Sequence, residues 1–170
     1  MLEIIKRLFE ICTFKKGPQD LPYSGWLLKL LLVLYVSVRV LMLNIHYDAL
    51  QVMLQLIVDL VLVTGFFGFI LSVSGKRGRF YQVVSAVLGT DAMMSFFALP
   101  GIATIETGQG GLWVLLVMFA LIGWHWAITG HIIRNALEQS LSFSLGLAFL
   151  YLLGTYQVMA FLFPEVSGVK

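Results

Sequence analysis

Asp59, Asp91 and His125 each fall near the middle of an apolar stretch long enough to cross a bilayer, and Arg39 lies inside another. Carboxylates and an imidazole at that depth are the usual parts of a proton or ion relay. The same groups can instead neutralise one another and fix helix register, or hold a second membrane protein. An ionisable side chain in hydrocarbon costs about 3 kcal/mol on insertion scales, so each must face a bundle interior, a partner or a water-filled path. Gln51, Gln55 and Asp59 recur every four residues and so form one polar stripe on one helix. Ser95 stands one turn from Asp91, Thr129 one turn from His125, and Tyr35 one turn from Arg39. Two pairings are expected if the groups satisfy one another: Arg39 with Gln55 or Asp59, and His125 with Asp91 or Ser95. Measured from the loop at His46, Arg39 and Gln55 lie at similar depth and Asp59 one turn deeper. Structural pairs, an ion path and a partner-binding polar face all remain open at this level.

Catalysis and metal binding find less support. His125 and His131 are six apart, on different helix faces, and cannot chelate one ion as an i, i+4 pair could. There is no nucleophile elbow. Ser74-Gly75-Lys76-Arg77 lacks both the earlier glycine and the Ser/Thr of a phosphate-binding loop. Gly108-Gln109-Gly110-Gly111 has no preceding strand and reads as a turn. The expectation is no enzyme, no cofactor and no metal site.

The elements that must position these residues follow from composition. Of 170 residues, 59% are hydrophobic and 12% charged, whereas a soluble domain is roughly half apolar and about a quarter charged. Lipid must be the solvent for most of these side chains. A helix needs about 20 apolar residues to cross roughly 30 Å of hydrocarbon, and five such stretches occur, at 26–43, 50–73, 80–99, 112–133 and 141–163. The breaks fall at 44–48, 74–79, 100–111 and 134–140. The fold class expected is all-α: a polytopic bundle of five transmembrane helices, preceded by a cytoplasmic amphipathic interfacial helix. Residues 1–24 form that helix and a connector, 25–164 the membrane domain, and 165–170 an external tail. Gly65, Gly68 and Ser72, and Ser142 with Gly146, are expected to let helices approach closely.

Lys and Arg in the short loops set orientation. Lys6, Arg7, Lys15, Lys16 and Lys29 precede or open the first span; Lys76, Arg77 and Arg79 separate spans two and three; Arg134 follows span four. The loops after spans one and three have neither residue type. The N-terminus is therefore expected in the cytoplasm and the C-terminus outside, in a multi-pass membrane protein. Leu2, Ile5, Leu8, Phe9 and Cys12 repeat at helical spacing, with charges mostly opposite. Lys6, Arg7, Leu8, Phe9, Lys15 and Lys16 are thus expected at the membrane surface, apolar side in the acyl boundary. Gly17, Pro18 and Pro22 stop that helix, and Ser24 is placed to cap the next. The formal net charge of +2 argues against nucleic acid as a partner. One cysteine, Cys12, cannot form an internal disulfide.

This layout resembles the Yip-domain membrane proteins: an amphipathic helix, a proline-broken connector and five spans. The stretch Arg79-Phe-Tyr-Gln-Val-Val-Ser-Ala-Val-Leu-Gly-Thr90 is similar to the start of that family's middle helices, and Trp126-Ala-Ile-Thr-Gly-His-Ile-Ile-Arg-Asn-Ala136 to the lead into its last. The resemblance implies a protein without enzymatic activity that serves as an assembly, scaffolding or membrane-organisation partner. Its partners would be the lipid bilayer and other membrane proteins or a second copy of the chain. The residues themselves support one alternative, a small ion- or proton-coupled transporter using Asp59, Asp91 and His125.

Overall fold

The chain is built from six helices among its described residues, with no strand among them: α1 (Leu2–Cys12), α2 (Gly25–Leu43), α3 (Ala49–Val73), α4 (Phe80–Glu106), α5 (Leu112–Leu137) and α6 (Leu141–Leu162). The structure is a computed structural model, and it describes residues 2–43 and 48–164 except the side chain of Glu106. Met1, the turn at 44–47 with Asn44, His46 and Tyr47, and the tail at 165–170 with Lys170 lie outside the described residues. Helices α2 to α6 are long and apolar enough to cross a membrane.

Two spans run further than composition suggested. α4 continues through Pro100 to Glu106, because losing one backbone donor does not end a helix whose neighbours hold it in place. Thr104 donates its hydroxyl to the Pro100 carbonyl at 2.6 Å, and Gly108, at φ +71°, supplies the left-handed residue beyond the end. α5 carries Arg134 inside its last turn and stops only at Glu138, which is itself left-handed. Lys76 and Arg79, from the α3–α4 connection, hold that end. Lys76 Nζ donates to the Leu137 carbonyl at 2.9 Å, and Arg79 Nη1 to the Asn135 and Ala136 carbonyls at 3.2 and 3.1 Å. Both cations also pair with the Glu138 carboxylate, at 2.7 and 2.5 Å. The free carbonyls at the negative end of a helix dipole favour such cations. Hydrogen bonds from Lys76 and Arg79 hold the Glu138 carboxyl below the ordinary glutamate range.

α4 is the central helix. It packs most extensively on α2, then on α5, and also touches α1 and α3, while α6 closes against α5 and α3. Residues 83–90 of α4 are buried on every side, as expected of a helix that is apolar or small all round. We call the end of the bundle carrying Lys76, Arg79 and Arg134 the basic end, and the opposite end distal. Of the glycines the sequence suggested, an added Cβ at Gly65 or Gly146 would meet nothing within 4 Å, and at Gly68 it would make ordinary contact with Phe80 at 3.5 Å; the tightest approaches lie elsewhere. They include Gly89, where a Cβ would lie 2.6 Å from Leu8, and Gly130, 2.6 Å from Leu145.

α1 is helical but does not lie apart from the bundle. Leu8, Ile11 and Cys12 are buried against it, while Leu2, Ile5 and Phe9 stay exposed. Leu8, expected at the acyl boundary, fills the notch at Gly89, about 14 Å along α4 from its start at 1.5 Å per residue. Four side chains fasten the following turn through its carbonyls: Trp124 to Cys12 at 2.9 Å, His131 to Lys16 at 2.8 Å, Gln82 to Leu21 at 2.7 Å and Arg7 to Asp20 at 2.5 Å. A turn wedged among helices, with backbone groups that water cannot reach freely, needs such partners. Burial pushes the Cys12 thiol up to about 11.

Candidate functional site

The side chains with the greatest chemical potential gather at mid-bundle, where α2, α3, α4, α5 and α6 meet. Arg39 faces α3 from α2, and Asp59 faces back from the polar stripe of α3. Arg39 Nη2 lies 2.5 Å from Asp59 Oδ2, and Nε lies 3.1 Å from the same oxygen. The depth difference expected from sequence is closed by the length of the guanidinium side chain. Tyr35, one turn below Arg39, donates its hydroxyl to Asp59 Oδ2 and accepts from Arg39 Nε at 3.2 Å. Asp59 is buried, and its counter-ion is one that does not deprotonate in proteins. Asp59 therefore always has a charged counter-ion beside it.

The second pair differs in kind. His125 Nε2 lies 2.7 Å from Asp91 Oδ1, between the middles of α5 and α4. Its counter-ion is an imidazole, the side chain whose unperturbed titration falls between pH 5 and 8. Among the described residues Asp91 Oδ2 accepts no hydrogen bond. The charged and titratable groups around the pair are Arg39 and Tyr35 on α2, Asp59 on α3, Tyr151 on α6 and Cys12 on α1.

Two cavities flank this pair. One, of about 290 Å³, is lined by Arg39, Gln55, Asp59, Asp91, His125 and Tyr151, with Leu43, Thr155, Tyr156 and Met159 toward its distal end. The other, of about 160 Å³, lies between α2, α4 and α5 and includes Ser95, Met42, Met94 and Met118 with Arg39, Asp91 and His125. Both run from the level of Asp91–His125 toward the distal end, since Leu43, Met159 and Met118 all lie near that end of their helices. Toward the basic end the pair is backed by buried residues: Phe67, Val83, Val87, Ile128 and α1 itself.

Ser95 lines the smaller cavity, but His125 is held by Asp91 alone of the two expected partners. Gln55, the other expected partner of Arg39, is 3% exposed, and among the described residues its side-chain nitrogen has no hydrogen-bond partner. The basic residues of α1 and its turn lie apart from this cluster: Arg7 pairs with Glu3 at 2.6 Å and Lys16 with Glu10 at 3.0 Å, while Lys6 and Lys15 are exposed. Compared with family models, curated proteins and solved structures, the chain gives no match in any of the three. The site must be read from its own residues.

Sequence reasoning noticed Tyr35 beside Arg39 but did not place it in the cluster, and it missed Tyr151 and Thr155. The last two were legible only as an i, i+4 pair on α6, in a span without a charge to mark its inner face. No group of three or more His, Cys, Asp or Glu suited to a metal ion occurs among the described residues.

Proposed function

We propose that this chain is a multi-pass membrane protein that loads a proton at Asp91–His125 from the distal end of the bundle, as part of a small proton-coupled transporter without enzymatic chemistry. One observation carries the reading: both acid pairs at mid-bundle lie on cavity walls, but one has arginine as its counter-ion, whereas the other has a titratable imidazole. The asymmetry of Lys and Arg supports a cytoplasmic basic end, so the cavities would open to the external side. α1, with Leu2, Ile5 and Phe9 exposed, would rest its outer face in the cytoplasmic leaflet while its inner face wedges against α4 and α5.

Reconstitution into liposomes containing a pH-reporting dye tests this. An imposed potential should drive proton entry, and Asp91→Asn or His125→Gln should abolish it while the Arg39–Asp59 pair is left intact. Equal flux in both variants and the native protein would remove Asp91–His125 from the path.

A second reading is favoured by α5. Residues 112–127 contribute no buried side chain, so half of a long helix has little cover from its own bundle. This supports the scaffold reading, in which α5 meets another membrane protein or a second copy in a bacterial inner membrane, as the Yip-domain resemblance implies. Crosslinking from Phe119 in native membranes, followed by mass spectrometry, separates the two: one reproducible partner supports assembly, and lipid alone argues against it.

A further inference from the structure

The larger cavity holds an unspent donor. Gln55 belongs to the cavity wall and is 3% exposed, and its side-chain nitrogen, closed off behind that wall, has no hydrogen-bond partner among the described residues. An unmade hydrogen bond on a buried amide is costly unless something else supplies the acceptor. Arg39 lines the same wall, and Asp59 engages only its Nε and Nη2; among the described residues Nη1 has no acceptor. Thr155 and Tyr156 line the same space. At about 290 Å³ it has room for roughly ten waters at about 30 Å³ each, or for a small organic molecule.

The geometry points to a second ligand here: a small carboxylate, held by Gln55 and Arg39 and taken up together with the proton on His125. This inference rests on the proton-loading reading above and names its co-substrate. A planar carboxylate matches a guanidinium with N–H groups to spare, and Gln55 would meet its second oxygen. Charge sets the condition. Arg39 and Asp59 cancel, so Asp91 repels an entering anion until His125 is protonated and cancels it in turn. Of the groups facing His125, Tyr35, Tyr151 and Cys12 are neutral at pH 5 to 8, leaving the imidazole as the switching charge. Binding of anion and proton must then favour one another by the same factor.

Thermal shift and calorimetry on the purified full chain in detergent test this, with acetate and propionate as probes, acetamide as the neutral isostere and chloride as the ionic control. Carboxylate should stabilise saturably, with at least tenfold higher affinity at pH 5.5 than at pH 8, and acetamide should not. Gln55→Leu should weaken carboxylate binding at least tenfold while keeping the native pH dependence of melting. Gln55→Glu, which keeps the side chain's length and polarity, should abolish binding by like charge. Carboxylates no better than chloride, or undiminished binding in both variants, would overturn the inference. If that happens while His125→Gln still removes a pH-dependent step, only the carboxylate falls; if no such step exists, the proton-loading reading falls with it.

Discussion

Arg39 and Asp59 show how one contact decides the roles of several residues. Asp59 Oδ2 receives Tyr35 and both Arg39 nitrogens, so removing Arg39 strands a buried carboxylate and removing Asp59 leaves the guanidinium without its counter-ion. Breaking a buried ion pair by losing one partner costs about 3–5 kcal/mol, whereas replacing both by apolar groups is often neutral. Arg39→Leu and Asp59→Leu should each lower the melting temperature strongly, and the double variant should recover most of the loss. Additive losses in that thermal series would show that the two do not interact. Tyr35→Phe removes one bond to a charged group and should cost about 1.5–3 kcal/mol. The candidate charges were all legible in the sequence, because an ionisable residue inside an apolar run stands out. Which acid takes which partner was not: Gln55 and Asp59 share a face of α3, and only side-chain reach settles the choice.

At the scale of elements, α1 was legible as a helix but not as a wedge. Its period shows an apolar face and not what covers it; that depended on Gly89, a residue whose smallness acts only once α4 is central. Burying a leucine contributes about 1.5–3 kcal/mol, so Gly89→Val should expel Leu8 and loosen α1. Cys12 reports this directly. Buried, with its thiol pushed up to about 11, it should resist maleimide in the native protein and react readily in the Gly89→Val variant. Unchanged protection would mean that α1 does not depend on the notch. The end of α5 offers a second test. Because Lys76 and Arg79 hold the Glu138 carboxyl below its ordinary 4.5, its contribution to stability is present above that value and fades as pH falls through the lowered one. Melting curves of native protein and Glu138→Gln should differ at neutral pH and converge in acid below pH 4.5. A constant gap across the range would discount the carboxylate.

For the whole molecule, the five apolar helices follow from run length alone, and their ends shifted only where tertiary contacts overrule local breakers, at Pro100 and Arg134. The cavities could not be read from one dimension, because their walls are assembled from α2 to α6, helices far apart in the sequence. Reporters fused after Ser74 or Gln139 should appear in the cytoplasm and those after Asp48 or Thr107 on the other side; the reverse pattern would invert the direction in which the cavities open. The proposal requires that Asp91–His125 exchange a proton between pH 5 and 8 while Arg39–Asp59 takes no part. Infrared difference spectra of the protein in membranes, taken between pH 8 and pH 5, read both groups at once. The native protein and the Arg39→Leu, Asp59→Leu double variant should share an imidazole–carboxylate signal that His125→Gln and Asp91→Asn each lack. The same difference spectrum in His125→Gln as in the native protein would contradict it.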